Sequence, residues 1–273
     1  MEDPVRLTMT LCIIAEKAGA AIQEVAKEKE SRQFEMKEDG SPLTIADLTA
    51  HNIIVSGLKK LENAAPIVSE EGLIGNPILH DYCYLVDPLD GTKEFLRGNG
   101  MYTVNIALMK KIGQSNWKPV IGVVHAPALG ITWFGGEKMG STRKDSEGIR
   151  SIIAGRNSIP PIILGSVSHA TPLDRSFANS IGEHVFEGVG SSIKICRVAE
   201  GSADLAPRFG TTSCWDTAAA HAILAASGGN LISPQGIEIT YDVVDKILNP
   251  WFLATSNPKW TEKWMNHQSD IRN

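Results

Sequence analysis

The sequence is poor in the features that mark several common classes of protein. Its 273 residues include only four cysteines, and no two of these form a Cys-x-x-Cys pair. This spacing argues against a zinc site or a disulfide framework. It predicts reduced thiols in a cytosolic compartment.

A large excess of one charge and long apolar runs are also missing. The 31 acidic and 26 basic residues give a net charge of -5, so there is no electrostatic reason to expect nucleic acid as a partner. The first residues lack the basic segment of a secretory signal, and the apolar stretch 11–14 is far too short to span a membrane. We expect a cytoplasmic protein without a transmembrane segment, with peripheral attachment to the cytoplasmic face of the inner membrane as an alternative.

The apolar residues follow patterns typical of a mixed α/β (α+β) protein. Helices are predicted over residues 5–30, 44–62, 172–182, 192–200 and 216–227, and strands over 66–69, 82–86, 103–109, 120–125, 131–134, 162–164 and 185–189. Several of these strands are continuously hydrophobic, which is typical of strands covered by helices on both faces. Segment 135–150 is predicted to be an exposed hairpin and loop.

A change in composition near residues 157–161 marks the best candidate for an internal boundary. We expect an N-terminal α+β half, residues 1–157, which carries most of the acidic candidates described below. A C-terminal α/β half, residues 158–273, carries the rest and packs with the first half into one compact unit.

The most informative segment is 85–95, in which Asp87 and Asp90 follow an apolar stretch and precede Gly91 and Thr92. Two fixed carboxylates beside the start of a helix can hold a divalent metal ion and a phosphate together. The alternative is structural: Asp87 would lie in a turn at a strand end, and Asp90 would cap a helix beginning at Gly91. Capping accounts for one of the two aspartates.

Three further acidic residues lie at predicted element ends. Glu70 follows a strand, where a charged residue belongs either to a solvated turn or, in an α/β sheet, to a ligand site. Asp216 is a candidate N-cap of an alanine-rich helix, and one carboxylate can cap a helix and bind a metal ion. Asp47 completes the capping-box pattern of residues 44–47, for which a structural role is the simpler explanation.

Taken together, these residues predict a metal site with oxygen ligands only. Such a set suits Mg²⁺ better than zinc, and it consists of Glu70, Asp87, Asp90 and Asp216. Two metal ions bridged by carboxylates can clamp a phosphate and activate water, which Thr92 and Asp47 would orient.

The C-terminal half offers candidates for binding an anion. The turn Gly190-Ser191-Ser192 enters a helix and is followed by Lys194, and together with Arg208 it could hold a second phosphate. The alternative for this turn is ordinary helix capping. His169 follows a predicted strand, in a loop where it could meet a ligand.

Two segments resemble the signatures of the inositol monophosphatase-like superfamily: Asp87-Pro88-Leu89-Asp90-Gly91-Thr92 with Phe95, and Trp215-Asp216-Thr217-Ala218. Residues 44–47 and 69–71 occur where that family places its other acidic groups. Lys93-Glu94-Phe95, with residues 99–100 and 103–107, is similar to the CysQ-type 3′(2′),5′-bisphosphate nucleotidases. Met101, residues 212–214 and Ala220 depart from that pattern, which leaves fine specificity open.

The resemblance implies a layered αβαβα fold and an Mg²⁺-dependent, lithium-sensitive phosphatase with two or three bound ions. The implied metal ligands, which also line the substrate site, are Glu70, Asp87, Asp90, Asp216 and the backbone carbonyl of Leu89. Asp47 and Thr92 would position the attacking water, and Gly91 and Thr92 would hold the scissile phosphate. The implied contacts to the nucleotide are Ser191 or Ser192, Lys194 and Arg208 at the 5′-phosphate and His169 at the adenine.

We therefore expect the chain to remove the 3′-phosphate of adenosine 3′,5′-bisphosphate, or of the corresponding 5′-phosphosulfate, in sulfate assimilation. The partner is then a small nucleotide bisphosphate, and the protein is a monomer or a homodimer. An inositol or sugar phosphatase on the same scaffold is the nearer alternative. A haloacid-dehalogenase-type phosphatase would need its two aspartates two residues apart rather than three. A non-catalytic nucleotide or metal sensor is the alternative from another class.

Overall fold

The structure, a computed structural model, describes residues 3–27, 34–37, 42–62, 65–155 and 157–272, with side chains up to Gln268. The predicted end of the first helix at residues 28–30 lies outside the described residues. Within the described part, no helix has the length and apolar character needed to cross a membrane.

Seven helices and fifteen strands are formed by the described residues. The helices are α1 (Pro4–Lys27), α2 (Ile45–Leu58), α3 (Thr92–Arg97), α4 (Pro172–Ile181), α5 (Ile193–Ala199), α6 (Cys214–Ala226) and α7 (Pro258–Arg272). The strands are β1 (Phe34–Met36), β2 (Pro42–Thr44), β3 (Ile67–Ser69), β4 (Gly72–Ile74), β5 (Tyr82–Asp90), β6 (Thr103–Lys111), β7 (Trp117–Ala126), β8 (Ile131–Gly136), β9 (Gly140–Asp145), β10 (Gly148–Ile152), β11 (Ile162–Ser166), β12 (Val185–Val189), β13 (Leu205–Arg208), β14 (Asn230–Ile232) and β15 (Phe252–Thr255).

Two larger sheets organise the chain. The first has eight strands in the order β10-β9-β8-β7-β6-β5-β3-β4, and the second has five in the order β12-β11-β13-β15-β14. Neighbours in the first sheet are antiparallel except β3 and β5, whereas β12, β11 and β13 run parallel in the second. The predicted boundary at residue 157 falls on the connection between these sheets.

Helices and sheets alternate in five layers. α1 and α2 pack on one face of the eight-stranded sheet and α6 on the other, while α5 contacts both sheets. α4 and α7 pack on the outer face of the five-stranded sheet. This order confirms the layered αβαβα fold and the expectation that the central strands are covered on both faces.

Three buried hydrophobic clusters fill the spaces between these layers. The largest contains residues from both halves, for example Leu85 of β5 and Ile223 of α6. The four cysteines are all free and buried.

Some local predictions were wrong. On α2, the helical spacing of Leu48, Val55, Leu58 and Leu61 predicts one apolar face, but Leu48 is 45% exposed. The buried stripe consists of Ala46, Ala50, Ile54 and Leu58, because a spacing of four residues keeps these on one side of the helix. Segment 135–150 forms a hairpin as expected, but most of it is strand that extends the large sheet rather than loop.

Other elements were not predicted. The strands β1, β2, β4, β13, β14 and β15 have only three or four residues, too few for alternation to be visible. Helix α7 is largely polar, and Trp260 and Trp264 are its main apolar contacts with the outer core cluster. Its apolar face was therefore too narrow to stand out in the sequence.

Candidate active site

The end of β5 places Asp87 and Asp90 at the edge of the large sheet. The pairing of β5 with β6 shifts register between these two residues, so the backbone bulges where Pro88 interrupts the ladder. Asp87 is 1% exposed and accepts a hydrogen bond from Leu89 N at 3.0 Å. Both aspartates thus belong to a bulged strand end rather than to a free loop.

The helix after this bulge begins at Thr92, and its N-cap is Gly91. The structural alternative, in which Asp90 caps this helix, is therefore wrong. Gly91 has φ +93°, in the left-handed region, and a Cβ there would lie 3.2 Å from Met101 O. Glycine at this position lets the chain turn sharply from the strand into α3.

Asp90 is held by groups from two other segments. Ser192 N donates to Asp90 Oδ2 at 2.7 Å, and Asn105 Nδ2 lies 3.4 Å from the same oxygen. The Ser192 hydroxyl is itself buried between Thr103 and Asn105, at 2.8 Å from each. One carboxylate oxygen of Asp90 is thereby fixed in place by hydrogen bonds.

Glu70 reaches the same edge because β3 runs parallel to β5. Ser69 pairs with Val86, and Glu70 N donates to Val86 O at 3.1 Å. On its outer side, Lys37 Nζ lies 2.6 Å from Glu70 Oε1 and 2.6 Å from Glu71 Oε1. Lys37 was not predicted from the sequence, because 33 residues separate it from Glu70 and no local pattern connects them.

Asp216 comes from the opposite side, at the start of α6. The N-cap of α6 is Ser213, and Asp216 is the third residue of the helix, where it accepts from Ser213 N at 2.9 Å. The prediction of Asp216 as the N-cap is therefore wrong by three residues. The capping contact uses Oδ2 and leaves Oδ1 for another partner.

These carboxylates interact strongly with one another. Burial, followed by repulsion from its acidic neighbours, raises the pKa of Asp87 well above its ordinary value; these neighbours are Glu70, Asp90 and Asp216. Burial likewise raises the pKa of Asp90 to about 6 and that of Asp216 well above its usual range. We call Glu70, Asp87, Asp90 and Asp216 the carboxylate site.

The carboxylate site fits a hard divalent cation. Several carboxylates sharing a buried region are costly unless a positive charge balances them, and oxygen donors select Mg²⁺ over zinc. Within the described ranges, no three His, Cys, Asp or Glu groups are gathered closely enough to form a metal centre by themselves. What relates these four residues is the electrostatic interaction of Asp87 with Glu70, Asp90 and Asp216.

Asp47 and Thr92 meet at its margin. The predicted capping box at the start of α2 is confirmed: Asp47 Oδ2 accepts from Thr44 N at 2.7 Å and from Thr44 Oγ1 at 2.5 Å. Thr92 Oγ1 lies 3.3 Å from Asp47 Oδ1 and 3.3 Å from Leu89 O. Burial raises the pKa of Asp47, although the bonds from Thr44 oppose this shift. The capping role is thus compatible with a catalytic one, since the two oxygens have different partners.

Lys194 and Arg208 form the basic site on the other side of Asp90. Lys194 Nζ donates to Ser191 O at 2.8 Å and to Val189 O at 3.1 Å. Burial lowers the pKa of Lys194 to about 8, against the opposing attraction of Asp90. Ser191 has φ +50°. Lys194 lies two residues after Ser192, whose backbone amide donates to Asp90.

Arg208, at the end of β13, is 6% exposed. Its Nη1 donates to His169 O at 3.0 Å and its Nη2 to Thr211 O at 2.9 Å, while Nε is buried with no partner among the described residues. The backbone of His169 is thereby fixed beside the guanidinium, and its side chain is exposed. The unpartnered Nε–H of Arg208 is therefore available to an anion.

A separate groove of about 380 Å³ lies between α1 and the β7–β8 turn. It is lined by polar groups such as Glu16, His125 and Lys144, and by none of the predicted site residues. Its charged lining is internally paired, since Lys144 Nζ lies 2.7 Å from Glu16 Oε1. The chemistry of the carboxylate and basic sites lies elsewhere.

The chain is similar to known proteins over most of its length. The model of the inositol monophosphatase family matches residues 3–272. The 3′(2′),5′-bisphosphate nucleotidases CysQ of Salmonella typhimurium and Escherichia coli K12 are each 41% identical over 247 residues, covering 90% of this chain and 98% of theirs. The crystal structure of CysQ from Bacteroides thetaiotaomicron superposes with a TM-score of 0.79 at 34% identity, covering 92% of this chain and 98% of that one.

The chain belongs to the inositol monophosphatase family. Family membership confirms the predicted fold class and superfamily. The roles of individual residues at the carboxylate and basic sites stay predictions.

Proposed function

We propose that this chain is an Mg²⁺-dependent phosphatase that removes the 3′-phosphate of adenosine 3′,5′-bisphosphate, releasing AMP and inorganic phosphate. The observation that carries the proposal is the 2.7 Å hydrogen bond from Ser192 N to Asp90 Oδ2. It joins the carboxylate site to the turn that leads to Lys194. A substrate with two phosphates on one ribose matches two adjacent sites. The carboxylate site would bind one phosphate through Mg²⁺, and the basic site would bind the other through its cationic side chains.

The names of the relatives support the same substrate, since CysQ proteins at 41% identity are 3′(2′),5′-bisphosphate nucleotidases. In this role the enzyme would clear a by-product of sulfate assimilation. The 5′-phosphosulfate as a second substrate, the cytoplasmic location and the monomeric or homodimeric state stay predictions.

The proposed metal ligands are the carboxylate site and the carbonyl of Leu89. Bound there, Mg²⁺ would supply Lewis-acid polarisation of the phosphoryl oxygens and acidify a water. The backbone of Gly91 and Thr92 would hold the scissile phosphate next to these ligands. The protein contributes the bulge of β5, which fixes Asp87, Leu89 and Asp90 in one short segment.

Asp47 and Thr92 are the proposed positioning pair for the attacking water. Asp47 Oδ2 is already bonded to Thr44. Asp47 Oδ1 therefore accepts a hydrogen bond from the Thr92 hydroxyl, at an Oγ1–Oδ1 distance of 3.3 Å. The lone pairs of Thr92 Oγ1 are then left to accept a hydrogen bond from water. The water oxygen bonds to phosphorus as the phosphorus–O3′ bond breaks. A water proton passes toward Thr92 and Asp47. The 3′ oxygen takes a proton from solvent and leaves as a hydroxyl.

The basic site is the proposed seat of the 5′-phosphate. Arg208 offers its buried Nε, and Lys194 offers an ammonium now bonded to two carbonyls. Of the two serines, Ser191 is the better candidate, because the Ser192 hydroxyl is committed to Thr103 and Asn105. His169, exposed beside Arg208, is the proposed contact to the adenine.

The experiment that tests this proposal is phosphate release from a small panel of substrates, with and without Mg²⁺ and Li⁺. We expect kcat/KM for adenosine 3′,5′-bisphosphate to exceed that for inositol 1-phosphate by about a hundredfold, because only the nucleotide occupies both sites. Release should require Mg²⁺ and fall with Li⁺. The opposite preference would contradict the substrate, and no release from any compound would support a sensor.

A further inference from the structure

Glu94 is a buried carboxylate that the proposed reaction does not use. It lies on α3, two residues after Thr92, and is 4% exposed. Its side chain contacts the two segments that carry the proposed nucleotide contacts: the loop between β11 and α4, which holds His169, and the turn between β12 and α5, which holds Ser191.

The first contact is made through Ser168, the neighbour of His169. The Ser168 hydroxyl donates to Glu94 Oε1 and accepts from Arg97 Nη1. Arg97 Nη1 also lies 4.0 Å from Glu94 Oε1. Two residues of α3, one turn apart, therefore hold this loop from the N-terminal half of the chain.

The second contact is made through the backbone of Gly190. A Cβ built on Gly190 would lie 2.9 Å from Glu94 Cγ and 2.5 Å from Met101 O. The turn before Ser191 therefore lies directly against the Glu94 side chain, with no room for any residue larger than glycine. The Glu94 carboxylate also approaches Gly91, where a Cβ would lie 3.3 Å from Oε2.

The same loop is held from the other side by Arg208, which donates to His169 O at 3.0 Å. Glu94 thus binds Ser168, and Arg208 binds its neighbour His169. Leaving a buried charged acceptor without its donor costs more free energy than leaving an exposed one, and the same holds for a buried donor without its acceptor. Glu94 is therefore in contact with both the loop and the turn.

We propose that Glu94 is a positioning residue that sets the preference for a nucleotide by holding both nucleotide-contacting segments against α3. This inference rests on the proposed function. Glu94 acts through Ser168 and Gly190 rather than on the reacting atoms. Its removal should weaken binding of a nucleotide without slowing the chemical step on a small phosphate ester.

The test compares steady-state kinetics on adenosine 3′,5′-bisphosphate with kinetics on p-nitrophenyl phosphate, which lacks the nucleoside and the second phosphate. We expect Glu94→Ala to raise KM for the nucleotide about tenfold, equal to about 1.4 kcal/mol at 25 °C, with kcat within about threefold. Kinetics on p-nitrophenyl phosphate should change by less than about threefold. Glu94→Gln should stay close to wild type on both, because its amide oxygen still accepts from Ser168.

Ser168→Ala is the second variant, since it removes the same hydrogen bond from a surface loop without emptying a buried position. It should raise KM for the nucleotide in the same direction. Asp204→Ala is the matched control: Asp204 is buried and fixes a loop by accepting from Ile162 N at 2.9 Å and Ser158 N at 3.1 Å, at the far ends of β11 and β13. It should lower Tm and leave the KM for the nucleotide unchanged.

An unchanged nucleotide KM in Glu94→Ala and Ser168→Ala would overturn the inference while leaving the proposed function intact. Equal losses on both substrates, or a Gln variant as impaired as the Ala variant, would also overturn it. A wild-type enzyme that does not prefer the nucleotide would overturn the proposed function, and this inference with it. These results differ, because the last concerns the wild type alone.

Discussion

The carboxylate site and the basic site differ in how their charges are compensated. At the carboxylate site, Asp87 is 1% exposed, and its burial, followed by repulsion from the neighbouring carboxylates, raises its pKa. At the basic site, Lys194 and Arg208 donate to backbone carbonyls, so much of their hydrogen-bonding capacity is used by the protein itself. We therefore expect the first site to need an external cation, whereas the second is largely prebuilt and leaves the Nε–H of Arg208 for an anion.

This difference separates two properties of the protein. The carboxylate site should govern metal dependence and turnover, and its uncompensated charge should reduce stability. The basic site should govern nucleotide affinity with little influence on the chemical step. Substitutions in each site test whether metal dependence and nucleotide affinity are separate properties.

Asp87→Asn should lower kcat/KM by about a thousandfold, or about 4 kcal/mol, because it removes a central carboxylate of the metal site. The same change should raise Tm in the presence of a chelator by a few degrees, since it removes repulsion among buried carboxylates. Phosphate release and thermal unfolding measure the two effects.

The control for this variant is Asp81→Asn, an exposed residue at the opposite end of the same strand, about 20 Å away. It should change neither quantity. Retained activity in Asp87→Asn would refute the metal assignment, and a lower Tm in the chelator would refute the uncompensated charge.

Arg208→Met should raise KM for adenosine 3′,5′-bisphosphate about thirtyfold, equal to about 2 kcal/mol, because a buried guanidinium contact to phosphate is lost. Hydrolysis of p-nitrophenyl phosphate should change little. Arg150→Met, at an exposed ion pair with Asp145, is the control. If Arg208→Met instead lowers kcat on both substrates, the distinction between the two sites does not hold.

Nucleotide affinity should fall as pH rises above about 8, by up to tenfold per pH unit. The reason is that the pKa of Lys194 is lowered to about 8, and only its protonated form attracts a phosphate. Calorimetric titration with AMP between about pH 7 and 9.5 measures this, since AMP carries the 5′-phosphate and is not turned over. Lys194→Met should bind more weakly and flatten the dependence; an equally steep profile in that variant would assign the titration to another group.

The lowered pKa of Lys194 has a second consequence for stability. A lysine whose folded pKa lies below its unfolded value binds fewer protons in the folded state between the two values. The free energy of unfolding should therefore rise with pH from about 8 to about 10.4 through this residue.

Lys37→Gln should lower the Mg²⁺ concentration for half-maximal activity about threefold, because Lys37 competes with a cation for Glu70. Lys27→Gln is the control, since Lys27 pairs with Glu24 on the exposed side of α1. A rise in the required Mg²⁺ concentration would show that Lys37 supports metal binding rather than competing with it.

Much of the fold followed from local patterns. The strand 185–189 was predicted with its observed bounds, and the main helices within a few residues, because their apolar spacing is regular over several turns. The capping box of Asp47 was visible because its two partners are three residues apart. The cap of α6 was misplaced, since Ser213 caps this helix and not Asp216. The alternative of Asp90 as the cap of α3 was also wrong, because Gly91 takes that position.

The sequence by itself determined the candidate ligands. Asp87 and Asp90 lie in one short segment, and Glu70 and Asp216 lie beside the ends of recognisable elements. Only the tertiary structure decided how they are supported. The contact from Ser192 to Asp90 spans 102 residues, that from Ser168 to Glu94 spans 74, and that from Lys37 to Glu70 spans 33. Such contacts have no periodic signature, because the packing of sheets and helices, and not the spacing along the chain, brings the groups together.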